Sequence, residues 1–243
     1  MLQESLLYYP EKFSLEQWRA NRRDLPPWPQ DGEMRGLLAR PANTPKATVV
    51  VFHGNAGHAG HRSWIADELA PLGLRVILAE YPGYGPRGGK LSEESLVADA
   101  AETLAQARRE FGAPLLVVGE SLGAAVAAGA VARAPEDVAG LMLITPWDRL
   151  RNVATHHYPW LPVSLFLRDG YDSVERLQKF AGRSLVVVAE ADDIVPAQYG
   201  RALFESMPAN KRLLTLPGAG HNDWADKVDA AWWSAAVTDL LAR

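Results

Sequence analysis

Short unbroken apolar runs alternate along this chain with stretches in which apolar residues recur every three or four positions. Thr48 to Phe52 is the first such run. Arg75 to Ala79, Leu115 to Val118, Leu141 to Ile144, Leu185 to Ala189 and Arg212 to Leu216 follow it. A strand with one wet face alternates apolar and polar residues, whereas a strand buried on both faces does not. The runs therefore predict parallel strands covered on both sides. Between them, Leu96, Ala100, Leu104 and Ala107 keep helical spacing up to Phe111 and Gly112. Trp224, Val228, Trp232, Ala236 and Leu240 recur at every fourth position and predict a single last helix. Upstream, Ser14 followed by Gln17 resembles a capping box for a helix from Leu15 to about Arg22. Pro26, Pro27 and Pro29 then break the chain, and Met34 to Arg40 reads as a strand. This alternation predicts an α/β protein: one domain over residues 1–243, built on a doubly wound, mostly parallel sheet with helices on both faces.

Pro146 to Gly182 departs from the alternation. It holds Trp147, His156, His157, Tyr158, Trp160 and three prolines between two strands. Long insertions in compact domains are often functional, so this one reads as a small lid over the strand ends, with His156 and His157 packing or lining it. The eight tryptophans are expected mainly in the core.

Composition narrows the function classes. With 48% hydrophobic and 22% charged residues, the chain resembles a soluble globular domain able to bury a core of its own. Having no cysteine, it has no disulfide framework, thiolate zinc site, cysteine nucleophile or palmitoylation site. A net charge of −4 argues against nucleic acid as a partner. No apolar run reaches the ~18 residues of a membrane span, and the segment from Met1 to Pro10 lacks the features of a signal peptide. These features predict a cytoplasmic protein without a stable membrane anchor. Its oligomeric state is not legible.

Gly119-Glu120-Ser121-Leu122-Gly123 fits G-x-S-x-G, between the strand Leu115 to Val118 and an alanine-rich helix predicted from Leu122 to Ala134. Such a turn lifts the serine oxygen clear of the backbone and crowds the residues two before and two after it, where glycine fits. The alternative is a strand–helix turn that merely contains a serine. A serine nucleophile needs a base, and His221 lies in Gly218-Ala219-Gly220-His221-Asn222-Asp223 before the last helix. Asp192, in Glu190-Ala191-Asp192-Asp193-Ile194-Val195-Pro196, is the favoured acid. Asp193 and, more distantly, Asp148 are alternatives. The order Ser121, Asp192, His221 is that of a nucleophile-elbow triad. The oxyanion donors expected are the N–H groups of Leu122 and of Asn55, the latter in the loop His53-Gly54-Asn55-Ala56-Gly57.

Two other patterns are decoys. His53, His58 and His61 lie in a turn without a suitably spaced carboxylate, so they predict loop support rather than a metal site, with His61 beginning the next helix. Gly83-Tyr84-Gly85-Pro86-Arg87-Gly88 fits G-x-G-x-x-G, but the next helix starts near Ser92 rather than in the turn. It reads as a glycine-rich loop near the site.

These motifs together resemble a known family. Phe52 to Gly57, Gly60-His61-Arg62, Tyr81-Pro82-Gly83-Tyr84-Gly85, the elbow, His157 to Pro162 and Asp192 to Pro196 look like the bud-emergence-type branch of the α/β hydrolases. The resemblance implies an α/β-hydrolase fold with about eight strands, a small lid and no cofactor. In that family the acid stands four residues before the proline, which is Asp192 here. Its better-understood members act on thioesters or lipid esters, often at membranes, through anchors this sequence lacks. Glu120 stands where arginine- or glutamine-type residues are common in the family, and its charge would disfavour anionic substrates if it faced the pocket. The expected activity is hydrolysis of a small-molecule ester or thioester through an acyl-enzyme. Amide or peptide hydrolysis with the same triad and a non-catalytic ligand-binding hydrolase fold are the rival readings.

Overall fold

The computed structural model describes residues 7–163 and 167–242. Residues 164–166, inside the expected lid, and 1–6, in the segment read for targeting signals, lie outside the described residues. Among the described residues there are ten strands: β1 Tyr9–Pro10, β2 Pro27–Trp28, β3 Gly36–Ala39, β4 Ala47–Phe52, β5 Ala56–Gly57, β6 Leu74–Ala79, β7 Leu115–Glu120, β8 Gly140–Ile144, β9 Arg183–Ala189 and β10 Lys211–Leu216. Eight of them form one sheet in the order β10-β9-β8-β7-β4-β6-β3-β2. It is parallel from β10 to β6, while β3 and β2 extend the edge antiparallel. The α/β-hydrolase expectation of about eight mostly parallel strands is met.

The apolar runs became buried strands because both faces are covered. Val50 and Phe52 of β4, with Leu115 and Val117 of β7, face one core, where helices α3 (Glu93–Phe111) and α4 (Leu122–Val131) pack. Val49, Val51, Leu116 and Val118 face the other core, with Ile65 and Leu69 of α2 (Ser63–Leu69) and Trp233 and Leu240 of α8 (Ala230–Leu241). Helix α1 (Leu15–Asn21) is N-capped by Ser14, as its sequence predicts.

Three elements differ from expectation. The last helix starts later than its spacing suggests: Trp224–Lys227 is a separate 3-10 turn, Val228 is extended, and Asp229 caps α8 by accepting from the Trp232 N–H. The fourfold spacing was that of two elements packed on one core. Helix α4 ends at Val131 because the chain tightens into i→i+3 bonds from Arg133 and Ala134, and Ala134 precedes a proline, which disfavours helix. Pro27–Trp28, read only as a break, pairs with β3 at the sheet edge, where a missing N–H costs no ladder bond.

The segment 146–182 carries α5 (Leu150–His157) and α6 (Ser173–Leu177), and an antiparallel bridge between Arg149 and Asp172 joins its base. Tyr158 and Leu161 are exposed, and Trp160 is 73% exposed, whereas Trp28, Trp147, Trp224 and Trp233 are buried. Helix α7 (Ala197–Ser206) follows β9. Among the described residues, no helix is long and apolar enough to cross a membrane.

Candidate active site

Sheet order places the site. From β4 the chain moves outward to β6, then crosses back to β7 on the other side of β4. Loops leaving β4 and β7 therefore diverge at a topological switch point, where open α/β sheets bind ligands. Ser121 follows β7, His53 follows β4, and Asp192 and His221 lie beyond the carboxyl ends of β9 and β10.

Ser121 sits between the last residue of β7 and the first of α4 with φ 53° and ψ −117°, a backbone state costly to a side chain. The flanking glycines make it possible. A Cβ at Gly119 would stand 2.7 Å from the Ala124 Cα, and one at Gly123 would collide with the carbonyl oxygens of Phe52 and His53.

The structure brings Ser121, His221 and Asp192 together. His221 Nε2 is 3.0 Å from Ser121 Oγ, and His221 Nδ1 is 2.7 Å from Asp192 Oδ2. The other Asp192 oxygen accepts from the Ile194 and Val195 N–H groups at 3.0 and 2.7 Å. Asp192 is buried and the adjacent Asp193 is exposed. Asp148 is occupied elsewhere: it accepts from the Arg149 N–H and Asn152 Nδ2 at the start of α5. An Nδ1 facing a carboxylate carries the proton, which leaves Nε2 as an acceptor toward the serine hydroxyl.

The Leu122 N–H is in the first turn of α4, where backbone donors lack intrahelical partners. The β4 loop passes close to the nucleophile: a Cβ on Gly54 would lie 3.7 Å from Ser121 Cβ. Asn55 turns its side chain away, donating from Nδ2 to the Leu7 carbonyl at 3.0 Å, while its own carbonyl accepts from the Tyr9 N–H and the Tyr84 hydroxyl. His53 is buried against this loop, with Nδ1 2.7 Å from the Gly54 carbonyl and Nε2 3.0 Å from Glu80 Oε1.

Several side chains depart from expectation. Glu120 does not present a free charge: Arg62 grips it with Nε on Oε2 and Nη2 on Oε1 at 2.9 Å, and Trp224 Nε1 adds a contact at 3.3 Å. Burial opposes the Arg62 charge, yet Glu120 beside it holds the guanidinium pKa above its ordinary value. His61 lies in a 3-10 turn, Ala59–Arg62, before α2 begins at Ser63. His156 and His157 are exposed at the end of α5; the His156 ring meets Tyr199 edge-on at 6.1 Å, and His157 Nε2 donates to the Ile194 carbonyl at 2.8 Å. In the glycine loop, Gly83, Gly85 and Gly89 have positive φ, and Arg87 bonds the Glu80 carbonyl and both Asp99 oxygens. The helix there opens only after Ser92, its N-cap. Arg62, Glu80 and Tyr84 were not singled out from sequence. For Glu80 a signal existed, since a carboxylate directly ends the apolar run of β6.

A mostly parallel eight-stranded sheet, a strained serine elbow and an imidazole linked to an acid define the α/β hydrolases. The chain belongs to that superfamily, matching the serine aminopeptidase S33 family over residues 43–168. It is 42% identical over 178 residues to an uncharacterized protein of Mycobacterium tuberculosis, covering 72% of this chain and 63% of that one. The chain thus spans less than two thirds of that relative's length. It is 28% identical to Protein bem46 of Schizosaccharomyces pombe over 88% of this chain and 74% of the relative, in keeping with the bud-emergence-type branch. Among solved structures, Est1E of Butyrivibrio proteoclasticus shares the fold with a TM-score of 0.68 at 16% identity, covering 88% of this chain and 98% of that one.

Proposed function

We propose that this protein is a serine hydrolase that cleaves small-molecule carboxylic esters or thioesters through an acyl-enzyme. The observation that carries the reading is the continuous chain of contacts from Ser121 Oγ through His221 to Asp192, at 3.0 and 2.7 Å. As Ser121 Oγ attacks the carbonyl carbon, its proton passes to His221 Nε2. Asp192 holds the ring in the required tautomer and stabilises the imidazolium. The negative oxygen of the tetrahedral intermediate is met by the N–H groups of Leu122 and Asn55, each such donor contributing about 10²–10³ in rate. His221 then returns the proton to the departing alcohol or thiol. Water, activated by the same imidazole, attacks the acyl-serine and releases the acid.

Ester chemistry is favoured over aminopeptidase action because two carboxylates near the serine are already engaged. An amino-terminal ammonium group needs a carboxylate to bind it. Glu120 is neutralised by Arg62, and Asp148 is engaged by the Arg149 N–H and Asn152 Nδ2. We also read the excursion over 146–182 as a small lid. Its α5 touches the acid loop through the His157–Ile194 contact, two residues from Asp192.

The test is labelling with a fluorophosphonate probe followed by assay on acyl esters, thioesters and amino-acid amides. Wild type is expected to label and to turn over esters or thioesters, and Ser121→Ala to do neither. Equal labelling of both proteins would overturn the nucleophile assignment, and turnover confined to amides would overturn the substrate class.

A further inference from the structure

Outside the triad, Glu80 is a fully bonded carboxylate that is only 1% exposed. Its Oε1 faces His53 Nε2 at 3.0 Å and accepts from the Tyr81 N–H at 3.1 Å, and its Oε2 accepts from the Ala59 N–H at 3.1 Å. Glu80 thereby ties the start of the loop after β6 to the loop after β4. His53 carries the connection onward. Its Nδ1 lies 2.7 Å from the Gly54 carbonyl, and because a carbonyl only accepts, Nδ1 is the donor.

That bond has a directional consequence. The Gly54 carbonyl and the Asn55 N–H belong to one planar trans peptide and point in opposite directions within it. Holding the carbonyl on the His53 ring therefore sets where the Asn55 N–H points. The neighbouring carbonyls are held as well. Tyr81 donates its hydroxyl to the His53 carbonyl at 2.7 Å, and Tyr84 donates to that of Asn55 at 2.8 Å. Burial pushes both phenols above the ordinary tyrosine value, so both remain donors. The His53 ring is itself packed against both, with ring centroids 4.4 and 5.3 Å away.

We propose that Glu80 and His53 are positioning residues that aim the Asn55 N–H at the developing oxyanion. This rests on the serine-hydrolase reading. Glu80 orients an imidazole that orients an oxyanion donor, as Asp192 orients the imidazole that serves the nucleophile. Neither Glu80 nor His53 touches the reacting atoms. Their effect belongs to the transition state, since an ester carbonyl gains most of its negative charge only there.

The experiment compares wild type with Glu80→Gln, His53→Phe and the double variant on the best ester substrate. His53→Phe keeps a ring against the two tyrosines but loses both bonds. Glutamine places its amide nitrogen against either the Tyr81 or the Ala59 N–H that Glu80 accepts. In each single variant, kcat is expected to fall by about 10–100-fold, less than the ~10²–10³ of losing an oxyanion donor outright, with KM little changed. Affinity for an alkylboronic acid, whose adduct on Ser121 is tetrahedral, should fall in proportion to kcat, while a non-hydrolysable ether analogue of the ester binds as before. The double variant should lose no more than His53→Phe alone, because Glu80 acts through His53. If the Glu80 variants do not fold, His53→Phe decides through its kcat and its boronate affinity. Unchanged kcat in folded variants, additive losses, or a fall in KM-linked binding with boronate affinity intact would overturn the proposal. If wild type neither labels nor turns over ester, the serine-hydrolase reading has failed instead.

Discussion

Asp192 divides its oxygens between two tasks. One receives the His221 Nδ1 proton, and the other accepts the Ile194 and Val195 N–H groups that shape its own turn. Asp192→Asn exposes the consequence. The asparagine oxygen remains with the backbone donors, so its amide nitrogen faces His221. A neutral imidazole can then bond to it only by accepting at Nδ1, which moves the ring proton to Nε2 and leaves no base for Ser121. We expect kcat for ester hydrolysis to drop by about 10⁴-fold while folding survives, as for a triad locked in the wrong tautomer. Asp193→Asn, altering an exposed neighbour, should leave steady-state rates unchanged. Burial separates the adjacent aspartates in favour of Asp192, the one that the family spacing before Pro196 also favours.

The 3-10 turn Ala59–Arg62 depends on one histidine. His58 Nδ1 accepts from the Gly60 N–H at 3.1 Å, which it can do only when unprotonated. Burial first, and the neighbouring His61 second, hold its pKa below the ordinary 6.5; Glu80 and Glu11 act the other way and His53 reinforces the depression. The unfolded chain therefore binds a proton at His58 before the folded one does, and linkage makes stability rise with pH in that window. The contribution is present above about pH 6.5 and is lost as pH falls from there through the lower folded value. Thermal melting between pH 5 and 8 should show this loss in wild type. His58→Asn, which keeps an acceptor without titrating in this range, should weaken that dependence.

At the scale of the molecule, the antiparallel edge is joined to the helical layer by Asp99 on α3. It bonds Arg35, just before β3, at 2.8 Å, and Arg87, in the loop after β6, through two contacts at 2.7 Å. Arg87 is nearly fully buried: burial works against its charge, and Asp99 more than restores it. Removing the shared anion costs both guanidinium groups a partner and leaves Arg35 with Glu102 and Arg87 with Glu33 and the Glu80 carbonyl. Asp99→Ala should lower unfolding stability in urea by about 1.5–3 kcal/mol, the usual contribution of hydrogen bonds to a charged group. An unchanged midpoint would show that the network contributes nothing net.

Apolar runs and helical spacing determined the α/β class by themselves, because a strand buried on both faces and a helix buried on one leave different periods in the chain. The elbow and the order of Ser121, Asp192 and His221 were legible for a similar reason: a tight turn restricts its residue types locally. Other features had no local signature. The fourfold spacing from Trp224 to Leu240 reads the same whether one helix or two elements carry it, and only packing on a shared core separated them. Glu120 looked like a charge beside the serine until the fold brought Arg62 against it across 58 positions. Likewise, the bonds from Glu80 through His53 to the Gly54 carbonyl exist because β4 and β6 are sheet neighbours. Sequence determined which residue types were available for catalysis, while their protons, charges and directions were decided by which strand ends the sheet set side by side.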